Sequence, residues 1–286
     1  MFVLFWFLLI ASAGLLAVAL YRKNWWAAVL AVVIISFLLY GRLVEPHLIT
    51  IQTFHLPLTV QPKTWVKTVF LSDLHANKSK DLSFFASVAD RVAALKPDLI
   101  LIGGDMVDDQ EKFITNLEPL SHLQASLGKY FIRGNHDFLD DQAAVRRQMV
   151  QWGFVDATNR VFPLVFNGQK MSFVGLDDSW FSEPNLNLLR QAARPRLALA
   201  HEPDVLLDMK QGDADLVLLG HTHGGQVRLP WIGSLIALPQ KAPQWLDRGL
   251  KSWLGMPVII SQGLGEADFI FRFWDPPQIV VVEIGI

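Results

Sequence analysis

Short runs of Val, Ile, Leu and Phe recur along this chain, and five of them stop at a residue that can bind a cation or move a proton. The runs cover residues 66–71, 99–102, 130–132, 171–176, 197–200, 216–219 and 258–261, and a last one at 279–284 ends the chain. Continuous apolar runs of this length suit strands buried on both faces, because a strand with one wet face would alternate. Helical spacing lies between some of them. Phe85, Val88, Val92 and Leu95 follow Asp81, residues 144–152 read as a second helix, and Pro203 suits the opening of a short one. Strands alternating with helices predict an α/β layered fold. Open α/β sheets bind ligands beyond the carboxyl ends of their strands. The residues that end the runs are therefore expected to meet in one place.

Those residues are specific. The first run ends in Ser72-Asp73-Leu74-His75 and the second in Gly103-Gly104-Asp105-Met106-Val107-Asp108. The third ends in Gly134-Asn135-His136-Asp137, the fifth at His201, and the sixth in Gly220-His221-Thr222-His223-Gly224-Gly225. Taken singly, most of these are ordinary turns, since Gly and Asn accept a positive φ. Taken together, five of the chain's eight histidines fall at strand ends, in order. His47, His55 and His122 lie outside the pattern and read as ordinary surface or core histidines.

Composition narrows the chemistry. The chain has no cysteine, which excludes disulfide partners, thiol catalysis and thiolate metal sites. A net charge of −2 gives no basic footprint for nucleic acid. Only 18% of residues are charged, against about 25% in an ordinary soluble domain. The deficit lies at the N-terminus. Residues 2–21 and 24–41 are two uncharged runs separated by Arg22-Lys23, with Tyr21, Trp25, Trp26 and Tyr40 near their ends. About 20 apolar residues span a bilayer, and aromatic residues favour its interfaces. A transmembrane hairpin over residues 1–43 is expected, with the lipid bilayer as its partner, followed by an extended, proline-bearing linker at 44–64 and one domain at 65–286. Arg22 and Lys23 in the turn outweigh Arg42 alone, so the turn is expected on the cytoplasmic side and the domain outside.

The five strand-end blocks, in this order over about residues 65–284, resemble the calcineurin-like metallophosphoesterase superfamily. Gly-His-Thr-His-Gly-Gly-Gln at 220–226 and Ser-Gln-Gly-Leu-Gly at 261–265, before Arg272, resemble its bacterial membrane-anchored or exported phosphodiesterase branch. The resemblance implies a four-layer αββα sandwich behind the hairpin, in a multi-pass protein of the bacterial inner membrane. It implies two divalent ions, the first held by Asp73, His75, Asp105 and His223 and the second by Asp105, Asn135, His201 and His221, with Asp105 bridging. Oxygen and imidazole donors suit Mn, Fe, Zn or Mg. The implied reaction is hydrolysis of a phosphodiester, with lipid-linked esters among the candidate substrates, by attack of metal-bound hydroxide. His136 would assist the leaving group and Asp108 would orient His136. Asp137, Gly104, Gly134 and Gly220 are expected to be structural, Asp177 and Asp178 structural or supporting, and Gly224 and Gly225 to let backbone approach the ions. Protein phosphatases of the superfamily carry an arginine after the Asp108 position. Asp109 stands there instead, which disfavours a phosphomonoester dianion. The alternatives are a pyrophosphate hydrolase of the UDP-2,3-diacylglucosamine type from lipid A synthesis, and a metal-binding scaffold without activity. Finally, residues 229–254 hold Trp231, Trp245 and Trp253 among Lys241, Arg248 and Lys251, readable as core packing or as a lip that meets the membrane.

Overall fold

The computed structural model describes residues 2–108, 110–138, 141–267 and 269–286. In chain order, α1 (Phe2–Tyr21) and α2 (Trp25–Leu39) come first, and α2 runs on through further helical turns to His47. Then come β1 (Thr50–Pro57), β2 (Trp65–Leu71), α3 (Leu82–Leu95), β3 (Leu99–Ile102), a 3-10 helix at Glu111–His122, and β4 (Lys129–Phe131). Next are α4 (Gln142–Gln151), β5 (Val155–Asp156), β6 (Arg160–Phe166), β7 (Gln169–Gly175), α5 (Asn187–Gln191), β8 (Arg196–Leu199) and β9 (Leu216–Leu219). The chain closes with β10 (Arg228–Leu229), β11 (Gly233–Ser234), β12 (Gly249–Trp253), β13 (Met256–Ile260) and β14 (Gln278–Gly285).

Two six-stranded sheets form the body, in the orders β1-β14-β2-β3-β4-β5 and β12-β13-β9-β8-β7-β6. Successive residues of one strand serve different layers, because side chains alternate across a pleated sheet. Phe70, Leu99, Leu101, Leu197, Leu199, Leu216 and Leu218 fill the space between the sheets. Their neighbours Val69, Leu71, Ile100 and Ile102 pack outward with Phe85 and Val88 of α3 and Met149 of α4. Ala198, Val217 and Leu219 pack outward on the other side, with Leu189 of α5 and Val205. Both faces of each sheet are thus covered, which is why the strands read as unbroken apolar runs. The expected αββα sandwich is the observed one. Parallel pairing of β2, β3 and β4, and of β7, β8, β9 and β13, brings the carboxyl ends of each group to one edge.

The N-terminus departs from expectation in its details. Trp25–His47 is long and apolar enough, at 23 residues or about 35 Å, to cross a membrane by length and composition; α1 packs beside it. The helical path therefore runs past residue 43 into the expected linker. The rest of that linker is no free connector either, because Thr50–Pro57 pairs in parallel with β14. Pro57 ends this edge strand, where a missing N–H costs little. Phe54 and Leu56 supply apolar contacts to the inter-sheet core.

Candidate metal centre

The site is assembled by the loops that leave β2, β3, β4, β8, β9 and β13. Asp137 fastens two of them: its carboxylate accepts the N–H groups of Gly134, Asp105 and Met106, each at 2.9 Å. Its role is structural, as expected, and burial pushes its carboxyl up to about 7. Asp73 joins the two sheets, since Oδ1 accepts from the His221 N–H at 2.8 Å. Gly134 leaves no choice of residue, because a Cβ there would lie 2.3 Å from Asp105 Oδ1. Asp73, His75, Asp105, His221 and His223 all have φ between +42° and +70°. That region costs a non-glycine residue about 1–2 kcal/mol. Such strain persists only where the surroundings over-determine it, and it gathers at functional sites.

Two clusters result. In the first, Asp73, His75, Asp105 and His223 bring one ligand atom each within 4.8 Å of one another, all four residues buried. In the second, Asp105, His201 and His221 do the same. Asp105 belongs to both, through a single oxygen. Its Oδ2 lies 3.4 Å from His75 Nε2 and 3.1 Å from His201 Nε2, while Oδ1 accepts the His136 N–H at 2.9 Å. Asn135 joins the second cluster, with Oδ1 2.9 Å from His221 Nδ1 and 3.2 Å from His201 Nε2.

The tautomers follow from backbone carbonyls, which can only accept. His201 Nδ1 donates to Gly103 O at 2.6 Å, His223 Nδ1 to Gly265 O at 3.0 Å, and His221 Nε2 to Pro239 O at 3.3 Å. Each neutral ring then turns its remaining lone pair into the cluster. There His223 Nε2 is 3.1 Å from His75 Nε2 and 3.5 Å from Asp73 Oδ1. Asp73 Oδ2 is buried with no hydrogen-bond partner among the described residues. A buried excess of acceptors is unfavourable without cations. Fixing one ring nitrogen so that the other can ligate is the usual arrangement around protein-bound metals. The donor set, all oxygen and imidazole, fits two divalent ions.

Proton affinities point the same way. Burial works against the imidazolium of His75, but Asp105 and Asp108 outweigh it and push it up to about 10. His201 also rises well above its ordinary value, against burial, under the charge of Asp105. Burial and the neighbouring His201 hold His221 down at about 4, and burial with His75 holds His223 well down. Asp105 stays far below the usual carboxylate range, despite burial, because His201 and His75 stabilise its charge.

His136 lies at the rim, its side chain 19% exposed. Asp108 Oδ1 is 3.8 Å from His136 Nδ1, but it is closer, at 3.5 Å, to His75 Nδ1. Asp108, expected to orient His136, thus stands beside His75 as well. Asp177 pairs with Arg133 at 2.7 Å, and Asp178 caps the turn at Trp180 and Phe181, so both are supporting residues. Gly224 and Gly225 are corrected. A Cβ on Gly224 would strike the Asp275 carboxylate at 2.4 Å and one on Gly225 would strike Ser234, so the close approach is to those residues. Asp109 lies outside the described residues. The tryptophan segment divides: Trp253 donates to Leu206 O at 2.8 Å and packs on the core, while Trp231 is fully exposed at the β10–β11 turn.

The sequence reading missed the support around His223. Arg272, fully buried, donates to Gly265 O at 2.5 Å, the same carbonyl that receives the His223 proton. It also pairs with Glu266 at 3.0 Å, and its backbone N–H donates to Gly41 O at 2.8 Å. A continuous path of hydrogen bonds thus joins the end of α2 to a ligand loop. A lone arginine in an irregular loop well beyond the end of β13 carries no periodic or spacing signal that could have shown this.

Comparison with known proteins agrees with this geometry. A model of the calcineurin-like phosphoesterase family matches residues 66–225. The metallophosphoesterase YkuE of Bacillus subtilis (strain 168) is 30% identical over 255 residues, covering 86% of this chain and 88% of that protein. Phosphodiesterase YaeI of Escherichia coli (strain K12) is 29% identical over 223 residues, covering 76% and 82%. Among solved structures, Haemophilus influenzae NAD nucleotidase (NadN) gives a TM-score of 0.46 at 15% identity, covering 71% of this chain and 45% of that one. The protein TT1561 of Thermus thermophilus gives 0.42 at 13% identity, covering 71% and 92%. With the family model spanning more than half of its length, over the loops that carry both clusters, this chain belongs to the calcineurin-like phosphoesterases.

Proposed function

We propose that the chain is a membrane-anchored phosphodiesterase whose natural substrate is a lipid-linked phosphodiester. Calcineurin-like phosphoesterases use two divalent metals. Here Asp73, His75, Asp105 and His223 would hold one, and Asp105, Asn135, His201 and His221 the other. Bound there, such ions stabilise charge on the phosphoryl oxygens and bring the pKa of water near neutrality. The observation that carries the reading is the single oxygen of Asp105 set between two groups of inward-turned acceptors, beside a rim histidine.

The polypeptide's own contributions follow from position. Asp105 Oδ1 is held by the His136 N–H, so the bridging carboxylate and the rim histidine keep a fixed relation. His136 donates a proton to the departing alkoxide as the phosphorus–oxygen ester bond breaks and the oxygen of water bonds to phosphorus; the products are a phosphomonoester and an alcohol. Asp108, with Oδ1 3.8 Å from His136 Nδ1, would orient the ring. A diester is favoured on the sequence alone, since an acid follows Asp108 where the resemblance to protein phosphatases of the superfamily would call for an arginine. The activity of the similar protein YaeI supports the same reaction class. α1 and α2 form a two-span anchor, with Arg22 and Lys23 in the cytoplasm and the catalytic domain outside.

Turnover of bis-p-nitrophenyl phosphate with added Mn²⁺ tests the reaction. His136→Ala should lose about 10²–10⁴-fold in kcat while still binding metal. Metal-independent turnover, or none across a broad diester panel, would refute the assignment. Fusion reporters at the C-terminus test the topology, and a cytoplasmic signal would reverse it.

A further inference from the structure

A cavity of about 770 Å³ opens where the N-terminal helices meet the catalytic domain. One wall is Phe5 and Leu8 of α1 with Phe37 and Leu38 of α2, and Phe269, Ile270 and Phe271 face them. These are the ends of α1 and α2 nearest the domain, since the two helices run antiparallel and their tight turn lies at the far end. The wall is fastened. Phe37 packs on Phe271 with ring centres 5.4 Å apart, and Arg42 Nη1 donates to Ile270 O at 2.6 Å. At the other end the lining becomes polar and reaches Asn77 and Asp108. Asp108 is the residue that stands 3.5 Å from His75 and 3.8 Å from His136. One chamber therefore runs from the helices of the anchor to the edge of the metal centre.

Its charges have a direction as well. Arg42, Lys78 and Lys112 line it. The lining carboxylates are already engaged: Glu266 by Lys80 and Arg272 at 3.1 and 3.0 Å, and Asp108 by the two histidines. The remaining field favours an anion whose tail is apolar. We propose that this chamber seats the hydrocarbon tail of a membrane phosphodiester lipid, with Arg42, Lys78 and Lys112 around its anionic head and the phosphate delivered past Asp108 to the metal centre. The proposal rests on the phosphodiesterase reading and gives the tail of its substrate a binding site. The chamber's volume is that of a small-molecule site. A tail can enter it sideways from the bilayer without crossing water, because the helices that would lie in the bilayer form its apolar wall.

The test is a series of p-nitrophenyl alkyl phosphates from methyl to octyl, each below its micelle concentration, with Mn²⁺ and the full chain in amphipol. Each methylene buried should raise kcat/KM about fourfold, which is ~0.8 kcal/mol, until the chamber is filled. Leu8→Trp, which narrows the chamber, should flatten that slope. A slope near zero in the wild type, with the methyl ester still cleaved, overturns the chamber proposal and leaves the phosphodiesterase reading standing. An equal slope in Leu8→Trp also overturns it, because the tail then binds elsewhere. No cleavage of any member overturns both.

Discussion

Two buried groups of charge lie side by side in this protein, and they are built on opposite plans. One joins Lys80, Glu266, Arg272, Asp275 and Arg248. There each cation meets a carboxylate: Lys80 and Arg272 share Glu266, and Arg248 holds Asp275 at 2.5 Å. The segment that follows α2 completes it, since Lys80 donates to the Pro46 carbonyl and the Glu45 carboxylate accepts the Asp275 N–H. The other group sets Asp73, Asp105, Asn135 and four imidazoles together with too few protons to satisfy them. In the first every cation has a carboxylate partner, with one oxygen of Glu266 left without a hydrogen bond among the described residues, and it clasps the N-terminal helices to the domain. The second becomes complete only with cations. Burial of charge therefore does not by itself mark a functional site; carboxylates and imidazoles gathered at ligand spacing do.

The largest effect that could break this contrast is on activity. Asp105→Asn keeps the side-chain shape but removes the charge that both clusters share. It should lower metal-dependent kcat/KM by at least about 10³-fold, while the metal-free protein unfolds at the same urea concentration or a higher one. Loss of fold instead would mean that Asp105 is a structural residue. Arg272→Met should do the reverse. It leaves Glu266 with Lys80 alone and strips a buried donor from several carbonyls, and the cost is about 3–5 kcal/mol in urea unfolding. A shift below about 1 kcal/mol would show that the clasp contributes little. Adding metal at a hundredfold excess over Kd should stabilise the wild type by about 2.7 kcal/mol per independent site. Chelator should erase that gain, and Asp105→Asn should lack most of it.

The smallest effect concerns Lys80. Burial pulls its ammonium down to about 8, against the attraction of Glu266. Between that value and the unfolded lysine value near 10.4 the unfolded chain binds the extra proton, so folding should gain stability as pH rises from about 8 to about 10 and lose it on the way back. The difference in urea midpoint between wild type and Lys80→Met should widen in favour of the wild type across that window. A constant difference would place Lys80 in contact with water.

The two plans were not equally legible in the sequence. The seven ligand positions sit at the ends of apolar runs, and parallel strands must deliver such ends to one edge, so the second group could be found from Asp73, Asp105, Asn135 and the ordered histidines alone. The positive φ values at five of them could not, because nothing in the residue types calls for a left-handed backbone at Asp or His. The clasp was invisible for a related reason. Lys80, Glu266 and Arg272 lie in irregular loops, Lys80 far along the sequence from the other two, and they meet only in the folded chain. β1 was hidden by the prolines around it: Pro46, Pro57 and Pro62 suggest a connector, and only the exposed edge of β14 gives residues 50–57 a partner. Trp253 and Trp231 looked alike in composition, yet one packs on the core and the other stands in solvent.

The central claim is that the inward-turned acceptors form a cage for two cations that share Asp105. Equilibrium dialysis of the purified full chain against Mn²⁺, with metal counted per polypeptide, tests it most directly. Two ions per chain in the wild type, and no more than one in Asp105→Asn, is the predicted result. Fewer than one ion per wild-type chain, or the same count in both proteins, would contradict it.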